Sequence, residues 1–139
     1  MPVKLEHLTA PTDADWNDLN KIHQDTAISG LTLSETDMKG WLTADRWIVA
    51  GRFNDRVVGA FLAERNQNEV RLSQAGVRSI TQRRGVMHQM IHFIQRWADQ
   101  NTLTLIIGLT DTNMNDALKE ALIKRGFASK GDALTYNAD

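Results

Sequence analysis

Three arginines, Arg78, Arg83 and Arg84, lie immediately ahead of Gly85 in the stretch Ala75-Gly76-Val77-Arg78-Ser79-Ile80-Thr81-Gln82-Arg83-Arg84-Gly85-Val86-Met87. This stretch reads as a strand end, a basic turn and the glycine-marked start of an amphipathic helix. A helix start leaves backbone N–H groups without intrahelical acceptors, and its dipole adds positive potential. Guanidinium forks beside such donors suit phosphate oxygens, and a glycine lets a phosphate approach the backbone. The chemistry expected is therefore diphosphate binding, although the same residues also suit an ordinary solvated helix start. Neither G-K-[ST] nor G-x-G-x-x-G is present, so this is not a P-loop or a dinucleotide turn of the usual kind. Upstream, the small side chains of Ala75 and Gly76 permit close approach of an extended, amide-bearing ligand if the strand splays from its neighbour.

Other chemistry is sparse. The chain has no cysteine, which removes disulfides, thiolate ligands and a cysteine nucleophile. His88 and His92 stand four apart on one helix, but neither an H-E-x-x-H pattern nor an evident third ligand accompanies them, so no metal is expected. With a formal net charge of -1, nothing global draws the chain to nucleic acid or anionic lipid. The amino terminus lacks a secretory pattern and the apolar runs have strand length, so a cytoplasmic protein is expected.

The elements that must position the basic turn follow from periodicity. The 139 residues are expected to form one domain, residues 1–139. Val3 to Leu8 reads as a strand. Thr12 or Asp13 caps a helix with Trp16, Leu19 and Ile22 on one face. Ser34 and Asp37 mark a second short helix carrying Met38, Trp41 and Leu42, after a break at Ser29-Gly30; the two helices could wall a groove. Arg46–Phe53 and Arg56–Glu64 are strands joined by a tight Asn54-Asp55 turn, and Glu69–Val77 is a third. Val86, Met90, Ile91, Ile94, Trp97 and Ala98 trace a helical stripe. Thr102–Leu109 reads as an internal strand covered on both faces. Asp111 or Thr112 caps a final helix with Ala117, Leu118, Ala121 and Leu122, and Phe127–Tyr136 returns as a strand or hairpin turning at Gly131-Asp132. The expected order is β-α-α-β-β-β-α-β-α-β, an α/β fold with a mixed central sheet flanked by helices.

On these residues the chain resembles the GNAT family of acyl-CoA N-acyltransferases. Gln82-Arg83-Arg84-Gly85-Val86-Met87 matches the family's pyrophosphate motif except at Met87, where a small residue is usual. Within GNAT proteins the chain is more specifically similar to the PanZ/PanM family. Asp18-Leu19-Asn20-Lys21-Ile22 is like that family's first helix, Arg52-Phe53-Asn54-Asp55-Arg56 like its hairpin, and Val77 through Val86 like its basic turn. The resemblance implies coenzyme A or acetyl-CoA as cofactor. Ala75, Gly76 and Val77 would meet pantetheine on splayed central strands, and Thr81, Gln82, Arg83, Arg84, Gly85, Val86, Met87 and His88 would meet the pyrophosphate. It also implies that Arg52 and Asn54 contact a partner, the aspartate 1-decarboxylase proenzyme, whose self-cleavage the family promotes.

Acetyl transfer would need a deprotonated amine and, in many GNAT enzymes, a tyrosine donor for the departing thiolate. Counting back from Gly126-Phe127 places Leu122 where that tyrosine would stand, and Tyr136 is the chain's single tyrosine. No general base is obvious either: Glu64 and Glu69 flank the hairpin before the cofactor strand. With Glu69, Arg71, Ser73 and Ala75 alternating onto one face, Glu69 lies about 20 Å from Ala75. No catalytic residue is assigned. A cofactor-dependent regulator is the leading reading, and an N-acetyltransferase of a small amine or a protein amino terminus is the alternative.

Overall fold

The computed structural model describes residues 3–26, 31–78, 85–108 and 116–137. The elements are β1 (Lys4–Leu8), α1 (Asp13–Thr26), α2 (Glu35–Trp41), β2 (Arg46–Phe53), β3 (Arg56–Asn66), β4 (Glu69–Val77), α3 (Val86–Asn101), β5 (Thr104–Gly108), α4 (Asp116–Lys124), β6 (Ala128–Lys130) and β7 (Ala133–Asn137). They build a seven-stranded sheet in the order β1-β2-β3-β4-β5-β7-β6. All neighbours are antiparallel except β4 and β5, which run parallel with α3 as the crossover. The order matches the expectation, with Phe127–Tyr136 resolved as the β6–β7 hairpin.

Turn chemistry explains the β2–β3 hairpin. Asn54 and Asp55 both hold positive φ (51° and 65°) between the paired residues Phe53 and Arg56. Asparagine and aspartate tolerate that region, and the resulting two-residue turn matches the twist of the strands. At α1, the Thr12 hydroxyl accepts from the Asp15 N–H at 3.2 Å while Asp15 Oδ2 accepts from the Thr12 N–H at 3.0 Å, a reciprocal cap. Ser34 caps α2 by accepting from the Asp37 N–H at 3.3 Å. The expected Asp111 or Thr112 cap and the Ser29-Gly30 break lie outside the described residues.

The sheet buries a core on each face. Trp16, Leu19, Ile22 and Met38 of α1 and α2 pack on Ile48, Ala50, Val57, Ala60 and Leu62. On the other face Val86, Met90, Ile94 and Ala98 of α3, with Leu122 of α4, pack on Val49, Phe61, Val70, Leu72 and Leu105. One expectation is corrected here. The strands enclosed on both faces are β2 and β3, whose Trp47 to Gly51 and Val57 to Ala63 are all buried, whereas Ile106 of β5 is only partly covered. The reason is that α1 packs over β3 and β4 and makes its main contacts there.

At the β1 edge an aromatic group closes the core. The Trp47 indole N–H donates to His7 Nδ1 at 2.9 Å, and the His7 ring stacks obliquely within 5.0 Å of Phe93 and 4.9 Å of Trp97. Accepting through Nδ1 places the neutral ring's proton on Nε2, which is buried with no partner among the described residues. Burial lowers the His7 pKa below its ordinary 6.5. The unfolded chain therefore binds the extra proton first, and stability is full above about pH 6.5 and falls as the pH drops below it. His7→Asn keeps an acceptor for Trp47 and removes the titration. Urea midpoints between pH 5 and 7.5 are expected to show a shallower acid-side decline in that variant than in the wild type.

Candidate functional site

The candidate site lies where β4 leaves β5. Their parallel pairing covers Glu69↔Thr104 through Leu72↔Ile107 and stops, while β4 continues to Val77. Among the described residues, Ser73 to Val77 have no partner on β5, so this edge is open to an extended ligand. A bulge shapes the departure. Ala60 pairs with Gly76 but Leu62 pairs with Ser73, and Gln74 takes φ 58°. The Gln74 side-chain oxygen accepts from the Thr32 N–H at 2.7 Å and from the Thr32 hydroxyl, tying the segment ahead of α2 to the bulge.

The bulge also corrects the expected face. It inserts one residue, so Ala75 turns toward the α3-side core instead of continuing the face of Glu69, Arg71 and Ser73. Gly76 faces α1. A Cβ there would lie 2.7 Å from Thr26 Oγ1, 2.9 Å from Ile22 Cγ2 and 3.2 Å from the Leu31 backbone nitrogen. Its missing side chain thus serves helix packing on that face, a role the sequence reading did not assign. Val77 is buried against the opposite core.

Two further glycines bring the start of α3 to this point. Gly51 and Gly59 are paired across β2 and β3. A Cβ on Gly59 would sit 2.9 Å from both Val86 Cγ1 and Met90 Sδ, so the first turn of α3 lies in a trough without side chains. Gly85 precedes it with φ 69°, and among the described residues nothing lies within 4 Å of where its Cβ would be. Among the described residues no side chain caps the helix, and its first turn carries no acid. The N–H of Gln89 is the first to find an intrahelical acceptor, at Gly85 O, 3.1 Å. The amides of Val86, Met87 and His88 therefore precede the first intrahelical bond. Met87 packs against the core cluster and His88 is exposed. Among the described residues no negative charge and no side chain overlies this helix start at Gly85, so its donors fit a diphosphate, and the open β4 edge fits a peptide-like arm. Thr81, Gln82, Arg83 and Arg84 lie outside the described residues. Arg78 has another engagement: its Nε donates to Asp25 Oδ2 at 2.7 Å.

At the hairpin, Arg52 and Asn54 differ in character. Asn54 is exposed at the turn. Arg52 is largely buried, its Nε donating to Glu6 at 2.6 Å and its Nη1 to Asp15 at 2.8 Å and to the Asp55 carbonyl at 3.3 Å. The Arg52 hydrogen bond is the largest influence holding the Asp15 carboxyl below its ordinary pKa. Arg56 forks onto Asp18 at 2.6 and 3.0 Å, and the other Asp18 oxygen accepts from the Val57 N–H at 3.1 Å. Asp15 and Asp18 are both buried, and sequence reading missed both as site residues. The available signal was an i, i+3 aspartate pair on α1 opposite two arginines bracketing a tight turn.

A catalytic donor is not found at the expected position. Leu122 is buried in the α3-side core, its carbonyl accepting from the Phe127 N–H. Tyr136 donates to Asp99 on α3 at 2.8 Å, well along the helix from its start. Among the described residues no group of three or more potential metal ligands occurs, and no helix is long and apolar enough to cross a membrane.

Comparison with known proteins agrees with this geometry. The ribosomal-protein-S18-alanine N-acetyltransferase of Escherichia coli superposes with a TM-score of 0.79 at 14% identity, over 96% of this chain and 91% of its own. The solution structure of the putative N-acetyltransferase YhhK from E. coli, bound to coenzyme A, superposes with a TM-score of 0.70 at 23% identity, over 99% of this chain and 100% of its own. These likenesses establish the GNAT fold. In sequence, the PanD regulatory factor of Salmonella typhimurium (strain LT2) is 30% identical over 134 residues, covering 94% of this chain and 92% of that protein. The family profile described as an acetyltransferase (GNAT) domain, PanZ, matches residues 2–134. The chain therefore belongs to the PanZ family of GNAT domains.

Proposed function

We propose that this protein is a coenzyme A- or acetyl-CoA-dependent regulator that binds the aspartate 1-decarboxylase proenzyme and promotes its self-cleavage in pantothenate biosynthesis. The observation that carries the reading is its likeness to a PanD regulatory factor along nearly the whole chain. The open β4 edge beside the start of α3 supports the cofactor part. Pantetheine would lie along Ala75, Gly76 and Val77, and the diphosphate would meet the amides of Val86, Met87 and His88. Met87 packs against the core, which leaves its N–H available despite the departure from the family motif. Thr81 to Gly85 complete the proposed turn. Arg52 and Asn54 form the proposed partner contact, and a cytoplasmic setting belongs to the same reading.

Regulation is favoured over acetyl transfer by Leu122, a buried side chain with nothing to donate where a GNAT enzyme would place its acid. Cofactor binding helps the partner only through a conformation that both prefer. Promotion of self-cleavage would then come from holding a distorted backbone in the proenzyme. Size-exclusion chromatography of the purified protein with the cognate proenzyme tests this. Co-elution is expected with coenzyme A or acetyl-CoA and is lost without it. Absence of a complex in every condition, with both proteins folded, defeats the proposal.

A further inference from the structure

Three carboxylates of α1 each receive a guanidinium from a different segment of the sheet. Asp15 takes Arg52 of β2 at 2.8 Å, Asp18 takes Arg56 of β3 at 2.6 Å, and Asp25 takes Arg78, just past β4, at 2.7 Å. With Ile22 they occupy positions i, i+3, i+7 and i+10, an arc of about 80° at 3.6 residues per turn. Ile22, between the Asp18 and Asp25 pairs, and Thr26, just past Asp25, sit directly on Gly76, close enough that no Cβ fits between them. Thr26 reinforces the end of the helix: its hydroxyl donates to the Ile22 carbonyl at 2.7 Å and accepts from the Leu31 N–H at 3.0 Å.

One end of α1 thus grips the departing end of β4, and the other grips both sides of the Asn54-Asp55 turn. The two grips are about 15 Å apart along a continuous helix, at 1.5 Å per residue. We propose that α1 is the strut through which occupancy of the β4 edge is transmitted to the β2–β3 hairpin. Asp25 is the positioning residue at the cofactor end, and Asp15 and Asp18 are those at the partner end. This rests on the function proposed above and identifies how that site is regulated. A ligand that pairs with Ser73 to Val77 shifts the segment bearing Gly76 and Arg78. Close packing at Ile22 and Thr26 leaves α1 no slack, and the paired arginines carry the shift to the turn.

The test separates coupling from simple support. Proenzyme affinity is measured with and without saturating coenzyme A for the wild type, Asp25→Asn and Asp25→Glu, alongside the amide resonances of Asn54 and Asp55 in the protein alone. In the wild type, coenzyme A is expected to shift both resonances. Asp25→Asn is expected to abolish that shift and cut the cofactor-induced gain in proenzyme affinity at least about fivefold, the lower end of typical coupling. Asp25→Glu restores much of both. A full gain in Asp25→Asn overturns the strut. So do silent wild-type hairpin amides when coenzyme A still strengthens the complex. If coenzyme A never strengthens the complex, the functional proposal has failed, and the hairpin amides still decide the strut.

Discussion

Gly76→Val is expected to destabilise the protein by about 3 kcal/mol and to abolish coenzyme A binding. Overpacking a close contact costs about 1–3 kcal/mol even where neighbours can yield. Here they cannot yield easily. The nearest atoms to the new Cβ are Thr26 Oγ1, Ile22 Cγ2 and the Leu31 backbone nitrogen, at 2.7, 2.9 and 3.2 Å. Moving Thr26 also breaks the hydroxyl bridge between Ile22 and Leu31, adding about 1 kcal/mol. The displaced element is either α1 or the β4 end, and the second carries the proposed pantetheine edge. Urea midpoints and calorimetric titration with coenzyme A check the two effects. Gly40→Ala is the control, since its Cβ meets nothing within 4 Å; it is expected to be neutral or slightly stabilising and to leave the affinity unchanged.

Arg52→Ala is expected to cost about 1–3 kcal/mol in stability and to weaken the proenzyme complex at least tenfold. Removing one partner of a fully buried ion pair costs about 3–5 kcal/mol, discounted here because Arg52 remains 19% exposed. The charge left behind is Asp15, which is buried and still caps α1 through Thr12. The sign of the pH effect follows. With Arg52 present, the Asp15 pKa lies below its unfolded value of 3.8. That stabilisation is full above pH 3.8 and is lost as the pH falls through the lower folded value. Without Arg52 the contribution disappears, and acid unfolding starts at a higher pH. Denaturation followed from pH 7 to pH 2 is expected to show this shift. Arg52→Lys is expected to fall short of full rescue, because an ammonium cannot fork to Glu6 and Asp15 as a guanidinium does. Complex formation is compared at a temperature where every variant is folded, so that lost affinity reports the surface.

Local chemistry was readable in the sequence and non-local placement was not. Asn54-Asp55 declared its turn because those residue types tolerate positive φ. The stripe Val86, Met90, Ile94 and Ala98 declared α3 through its period. The open edge at Ser73 to Val77 could only be called permissible, because it depends on where pairing with β5 stops. The bulge was hidden because glutamine at position 74 gives no left-handed signal, and the misplaced face of Ala75 followed from it. Gly76 looked like room for a ligand, and its contact with Ile22 and Thr26 appears only when α1 is docked. Nothing local marks Asp15 and Asp18 as buried, because their arginines arrive from 37 and 38 residues away. Thr102–Leu109 looked doubly covered because apolar runs do not say which strand the helices overlie.

The decisive measurement is the rate of self-cleavage of the purified aspartate 1-decarboxylase proenzyme, followed by gel, with this protein present at equimolar concentration. Cleavage is expected to accelerate only when coenzyme A or acetyl-CoA is also added, and to return to the unassisted rate with Arg52→Ala. An unassisted rate with folded wild-type protein and saturating cofactor would contradict the regulatory reading.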